Sequence, residues 1–344
     1  MTINELKARF VEIYGGSEAD LRVFSAAGRV NLIGEHIDYC GGKVFPAALN
    51  LRTAVVARKT GKNEIRLAAT TIADRVTLDL NDLNAYRDLK WGDYQAGVAY
   101  VMQRDGYEIV GCDLLYDTDV PFGSGLSSSA SIEVATAMTL ATFSAEAGGK
   151  GVDLVQLAVL GQRSENTYNG VNCGIMDQFA IAMGKKDHAI FLDTATMEFE
   201  YAPIQLEGAK LVISCSNKKR GLGDSKYNER RSECEAALAE LQQVIGIESL
   251  GDLSEEQFET YKSAIKDPVR VKRARHAVYE NQRTIKAVAA LKANDITEFG
   301  KLMNASHVSL RDDYEVTGIE LDTLVEEAWK VDGVIGSRMT GAGF

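Results

Sequence analysis

Val120-Pro121-Phe122-Gly123-Ser124-Gly125-Leu126-Ser127-Ser128-Ser129-Ala130 is the stretch on which the reading of the whole chain turns. Its glycines let the backbone approach a ligand closely, its serines are residues that cap helices, and a long helix through Ala145 follows. The open N–H groups and dipole of such a helix N-terminus make an anion site suited to a triphosphate. A serine hydroxyl in that position can also meet Mg²⁺, a hard cation that prefers oxygen. The same residues equally suit an N-cap built small for close packing, and the pattern alone leaves both readings open. The chain contains no GxxxxGK[ST] motif, no HRD and DFG set and no G-x-S-x-G, which argues against a P-loop enzyme, a protein kinase and a serine hydrolase.

Outward from this loop, short strands and helices alternate. The N-terminal stretch MTINELKARFVEIYGG reads as an amphipathic helix with Leu6, Phe10 and Tyr14 on one face, ending at Gly15-Gly16. Strands are expected at Arg22–Val30, Thr53–Ala57, Glu64–Leu67, Arg75–Leu78 and Gly111–Tyr116, with a helix around Tyr94–Met102 and another over Leu154–Asn166. In the second half, Ala209–Ser214 reads as a strong strand, Tyr227–Ile245, Arg270–Leu291 and Ile296–Ser309 as helices, and Val331–Met339 as a strand. The pattern is α+β, with a division near residues 195–208.

Composition narrows the classes of function. The 344 residues carry 38 Lys+Arg against 49 Asp+Glu, a net charge of −11, which does not suit a general nucleic-acid binder or an anionic-membrane carrier. A 45% hydrophobic content is enough for a large core without staples. The five cysteines form no CxxC pair or zinc-like cluster and read as reduced thiols of a cytoplasmic protein. No stretch reaches the ~18 apolar residues of a membrane span. A monomer is expected.

Several carboxylates stand in positions that invite chemistry. Glu35 and Asp38 lie three apart in the glycine-bounded segment Gly34–Gly42, downstream of Arg29, where adjacent acids can accept hydrogen bonds from a polyol or simply cap a solvated turn. His36 between them reads first as a structural histidine. Asp177 is set among apolar residues in Cys173-Gly174-Ile175-Met176-Asp177-Gln178, so it is either a helix cap or a partly buried functional acid that needs a cationic partner. Glu165 is a helix carboxylate that could join a serine hydroxyl at a metal. Tyr227 packs on a helix face or touches a ligand, and Lys218-Lys219-Arg220 is a solvated loop or an electropositive rim for a nucleotide.

Taken together, these segments resemble the galactokinases of the GHMP small-molecule kinases. Gly28-Arg29-Val30-Asn31-Leu32-Ile33-Gly34-Glu35-His36-Ile37-Asp38-Tyr39 looks like the galactokinase signature, and Pro121–Ala130 like the GHMP phosphate-binding motif. Cys173–Gln178 and Ser337-Arg338-Met339-Thr340-Gly341-Ala342-Gly343-Phe344 look like two further segments of that family, in family order. The resemblance implies a two-domain GHMP kinase fold: an N-terminal α/β domain over residues 1–200 (ribosomal protein S5 domain 2-like) and a ferredoxin-like C-terminal domain over 201–344, with the active site between them. It implies ATP-dependent phosphorylation of the galactose C1 hydroxyl, with ATP and Mg²⁺ as cofactors.

By that resemblance Asp177 is the base and Arg29 the stabiliser of the transferring group. Glu35, His36, Ile37, Asp38, Gly174 and Tyr227 hold the sugar. Gly123, Ser124, Gly125, Leu126, Ser127, Ser128 and Ser129 cradle the phosphates, and Ser129 and Glu165 bind the metal. Ile37 stands where the family usually has threonine. Family members continue past the final glycine-rich segment, so the resemblance implies a C-terminal domain cut short at Phe344. The runner-up activities are a GHMP kinase for N-acetylgalactosamine or L-arabinose and a non-catalytic sensor of galactose and ATP.

Overall fold

The computed structural model describes residues 1–218 and 223–344. In chain order the elements are α1 (Ile3–Tyr14), β1 (Arg22–Asn31), β2 (Lys43–Val44), β3 (Pro46–Lys59), β4 (Glu64–Ala69), β5 (Ile72–Asp79), α2 (Asp93–Arg104), β6 (Cys112–Thr118), α3 (Ser128–Glu146), α4 (Leu154–Ser164), α5 (Met176–Ala182), β7 (His188–Asp193) and β8 (Phe199–Pro203). The rest is helical: α6 (Gly223–Leu241), α7 (Glu255–Tyr261), α8 (Pro268–Lys292), α9 (Ile296–Asp312) and α10 (Gly318–Trp329).

The strands form one mixed sheet organised on β3, whose length lets it pair antiparallel with β1, β6 and β7. Side chains alternate along β3 as a two-residue period demands. Val55 and Ala57 face the helical layer with Leu67, Leu114, Val134 and Leu157, whereas Ala54 and Val56 face α1 through Leu6 and Phe10. Thr2 caps α1 reciprocally with Glu5, which fixes where that helix begins. In the second half, α8 starts on Pro268 behind an Asp267 cap and runs about 38 Å at 1.5 Å per residue. It packs one stretch against Ile37 and Val44 and its last turns against Ile33 and Phe45, so it spans the seam between the halves.

Two details of the sheet position the site. The β1–β3 register shifts between Ala27 and Arg29, a bulge that re-aims the side chain of Arg29. At the bulge, a Cβ on Gly28 would lie 2.9 Å from the carbonyl oxygen of Leu126, so only glycine lets the glycine–serine loop dock on β1.

The second half departs from the pattern expected of it. Ala209–Ser214 and Val331–Met339 form no strand ladder, and every strand among the described residues ends by Pro203. Both segments instead line one cavity of about 730 Å³ with Phe299 and Leu324. β-branched composition makes an extended chain, but a strand exists only when a neighbour accepts its N–H groups. Lys219 and Arg220 of the expected basic rim lie outside the described residues, and Lys218 pairs with Glu320. No helix among the described residues is long and apolar enough to cross a membrane.

Candidate active site

Asp177 opens α5, and its carboxylate is clamped. Arg29 donates Nε–H to Oδ1 at 2.8 Å and Nη2–H to Oδ2 at 3.0 Å, the two-pronged geometry in which arginine binds carboxylate most strongly. The third arm of Arg29, Nη1–H, donates to the carbonyl of Gly125 at 2.5 Å, tying the acid to the glycine–serine loop. Ser127 completes the clamp, its hydroxyl donating to Asp177 Oδ2 at 2.5 Å. The Arg29 side chain is buried at 4% exposure while Asp177 retains 31%, so the acid faces open space and its cation supports it from behind.

Ser127 occupies the N-cap of α3 in a left-handed conformation (φ 59°, ψ 54°) without capping the helix through its side chain. A residue with a Cβ pays about 1 kcal/mol for that conformation. The hydroxyl thereby turns from the helix to Asp177. α3 begins at Ser128 and Ser129, and its first intrahelical bond runs from Ser131 N–H to the carbonyl of Ser127, so the N–H groups before it have no partner within the helix. Ser124 bonds back within the loop to Pro121, Leu126 is buried, and Gly123 and Gly125 take positive φ values of 70° and 77°. Gly341 packs against this loop, where a Cβ would fall 2.8 Å from Gly125.

The segment Gly34–Asp38 forms the opposite wall. Glu35 is fully enclosed, bonded to Arg338 Nη2–H and to the N–H of Gly341 at 3.0 Å. Burial pushes its carboxyl up, and the Arg338 and Arg29 cations oppose that. Arg338 also donates to the carbonyl of Asn31 at 2.8 Å. His36 has φ 62° and lies between Ala342 and two tyrosines. In the neutral ring Nε2–H donates to the Ala342 carbonyl at 2.9 Å, so Nδ1 accepts from the Tyr39 hydroxyl at 2.9 Å, which in turn accepts from Tyr314 at 2.7 Å. Tyr227 closes over this pair, its ring centre 5.4 Å from those of His36 and Tyr39.

Asp38 accepts the N–H of Met176 at 3.2 Å, tying the Gly34–Asp38 turn to the start of α5. Burial first, then the charge of Asp177, pushes its carboxyl up to about 7. Gly174 faces it so closely that a Cβ would stand 2.1 Å from the carboxyl carbon. Ile37 is the exception: its side chain is fully buried in the apolar cluster beside Val44, and its carbonyl accepts from Cys40 and Gly42. It shapes the turn from inside and offers no side chain to the open site.

Glu165, in a π-helical turn after α4, is also buried. Its Oε2 accepts from Gln178 Nε2–H at 2.8 Å and from the Cys173 thiol at 3.3 Å, and Gln178 also bonds Glu133 at 2.9 Å. Burial, then Glu165, pushes the Glu133 carboxyl well up. Among the described residues no group of three acids, histidines or cysteines could hold a metal alone. Sequence reasoning did not single out Arg338, Tyr39, Gln178 or Glu133. The signal for Arg338 was a basic residue in the terminal segment together with an acid, Glu35, needing a cation.

A glycine–serine loop opening a helix against a clamped aspartate, at a seam closed by a second helical half, defines a small-molecule kinase of the GHMP class. Residues 93–185 match the GHMP kinase N-terminal domain and residues 287–344 the GHMP kinase C-terminal domain. A mevalonate kinase structure superposes with a TM-score of 0.59 at 18% identity over 94% of this chain and 88% of its own, which shows the fold alone. Residues 8–59 match the galactokinase galactose-binding signature. A galactokinase from Clostridium beijerinckii is 51% identical over 99% of this chain and 87% of its own length, and one from Streptococcus mutans 48% identical over 100% and 87%. The crystal structure of Lactococcus lactis galactokinase complexed with galactose superposes with a TM-score of 0.92, at 42% identity over 100% of this chain and 88% of its own. The chain belongs to the galactokinase family, whose members are ATP-dependent sugar kinases.

Proposed function

We propose that this chain transfers the γ-phosphoryl group of ATP to the anomeric C1 hydroxyl of galactose, giving galactose 1-phosphate and ADP, with residues 1–200 and 201–344 as its two domains. The observation that carries the reading is the Arg29–Asp177–Ser127 clamp standing between the sugar-side turn and the N-terminus of α3. Asp177 orients the C1 hydroxyl and takes its proton as the O1–P bond forms and the bond from phosphorus to the ADP oxygen breaks, the electron pair leaving with ADP. Phosphoryl transfer asks mainly for positioning and charge stabilisation, which Arg29 and the α3 N-terminus supply beside the reacting group. Glu35, His36, Asp38, Gly174 and Tyr227 form the sugar's wall, and Ser128 and Ser129 with Gly123 and Gly125 the phosphate's.

The donors present fit Mg²⁺, which keeps phosphate oxygens and waters and takes only one or two protein oxygens. A hydroxyl at Ser129 and a carboxylate at Glu165, steadied by Gln178, are of that kind. The ion would neutralise charge on the phosphates when bound.

The test is ADP release from Mg-ATP with galactose, N-acetylgalactosamine, L-arabinose and glucose. Turnover with galactose far above the others is expected. Equal or better turnover with another sugar reassigns the substrate, and sugar binding without ADP release makes the chain a sensor.

A further inference from the structure

The sugar-side turn is gripped from behind by a four-residue relay on α8 and α9. Glu280, fully buried on α8, accepts the N–H of Gly34 at 3.0 Å and of Glu35 at 3.4 Å on one carboxylate oxygen. His276, one helical turn earlier on the same face, lies 3.0 Å through Nε2 from the carbonyl of Glu35. Both ends of the residue that enters the sugar wall are therefore tied to α8, its N–H by an acid and its C=O by an imidazole.

The two α8 residues are in turn tied to α9. Ser306 donates to Glu280 at 2.6 Å and Ser309 lies 2.9 Å from His276 Nδ1. Arg283 donates to the other Glu280 oxygen at 2.7 Å. A carbonyl only accepts, so His276 carries its proton on Nε2 and takes the hydroxyl proton of Ser309 on Nδ1. Burial, despite Glu280 nearby, lowers His276 to about 4, which keeps the ring neutral in this role.

The turn needs such a grip. Gly34 has φ 93° and a Cβ there would lie 2.8 Å from the carbonyl oxygen of Lys43, while His36 holds φ 62° with a full side chain. Left-handed residues persist only where their surroundings over-determine them, and such over-determination concentrates at ligand sites. The Glu35 side chain is bonded to the final segment of the chain and that of His36 to Ala342 and Tyr39, whereas the backbone bonds of Gly34 and Glu35 run to α8.

We propose that Glu280 and His276 are positioning residues for sugar recognition, holding the Gly34–Glu35 peptide in the shape that presents Glu35 and His36 to galactose from a helix that reaches no reacting atom. The proposal rests on the galactose reading above. Recognition of the sugar would then depend on the α8–α9 pair, while the nucleotide side, on β1 and α3, would not.

The test is steady-state kinetics of the full chain with galactose and Mg-ATP, joined to calorimetric galactose binding and thermal melting. Glu280→Gln and His276→Phe are each expected to raise KM and Kd for galactose about tenfold, the scale of one lost hydrogen bond to a charged or buried group, with KM for ATP within twofold. Ser306→Ala, which leaves the Glu280 carboxylate in place, is expected to raise galactose KM by a smaller factor. It serves if Glu280→Gln does not fold. Leu6→Ala, buried on α1 in a cluster that holds no residue of the turn, supplies a comparable loss of melting temperature. Galactose KM for Glu280→Gln or His276→Phe no higher than for Leu6→Ala, or ATP KM rising in step with galactose KM, overturns the proposal alone. A wild-type chain that neither binds nor phosphorylates galactose overturns the galactose reading and the proposal with it.

Discussion

The two walls of the site are built by opposite means. On the side proposed for the sugar, Glu35 and Arg338 are 3% and 2% exposed and the turn is fixed by bonds from β1, α8 and the final segment. On the side proposed for the phosphates, Phe122 is 96% exposed, the Ser124 hydroxyl bonds back to Pro121 within its own loop, and the N-cap of α3 makes no side-chain cap bond. A neutral polyol is recognised by the direction of its hydroxyls, so its wall has to be rigid before it arrives. A triphosphate brings its own charge, and a helix N-terminus with a glycine loop attracts it without a fixed set of side chains. Between them the Asp177 clamp borrows from both, with Arg29 on the sugar strand and Ser127 on the phosphate loop.

The largest effect is expected at the clamp. Asp177→Asn should lower kcat about a thousandfold, the range for losing a general base, while galactose still raises the melting temperature. A loss below tenfold would remove the base role. Arg29→Ala should likewise abolish turnover with ATP binding retained.

Next comes the rigid wall. Arg338→Ala leaves Glu35 charged and unpaired in a buried place, a change worth about 3–5 kcal/mol of stability, measurable by denaturant unfolding. Glu35→Gln in the same background should recover part of that loss. If Arg338→Ala costs no more than a surface substitution, the wall is not held by the Glu35–Arg338 pair.

Asp38 gives the comparison a pH signature. Its carboxyl is raised from an ordinary 3.8 to about 7. The native protein therefore keeps a proton there, between about pH 4 and pH 7, that the unfolded chain has released, so this group's contribution to stability falls as pH rises through that window and levels off above it. Asp38→Asn should melt higher than wild type at about pH 8 and converge with it near pH 4. Parallel melting curves across that range would contradict the raised value.

Smaller effects separate the walls most finely. Ser127→Ala should lower kcat about tenfold with ATP KM within twofold, because its hydroxyl serves Asp177 and not a phosphate. An unchanged kcat would remove the role of its hydroxyl at Asp177. Ser124→Ala should change neither constant beyond about twofold, since its hydroxyl bond stays within an exposed loop.

The sequence carried the first half of the fold well, because β1, β4, β6 and α1–α4 have local patterns that their neighbours reinforce. It read β3 only as Thr53–Ala57, since Pro46–Arg52 is made strand by pairing to β1 and not by its own composition. It missed β7, β8 and α10, and it placed a strand at Ala209–Ser214, where residues of high strand propensity have no ladder neighbour among the described residues. At the site, motif spacing and resemblance named the segments that meet. They did not reach Ser127's turn toward Asp177, the inward packing of Ile37 or the Glu35–Arg338 pair, because each depends on a side-chain direction or a contact across some three hundred positions. Gly28 shows the reverse case, a residue inside a legible strand whose need for glycine appears only when Leu126 stands beside it.

The most direct test of the account is to identify the bond made. Phosphorus NMR of the reaction with Mg-ATP and galactose should show a sugar phosphate whose signal couples to the anomeric proton, formed in step with ADP. A phosphate on another hydroxyl, or ADP formed without a sugar phosphate, would contradict the placement of the C1 hydroxyl at Asp177.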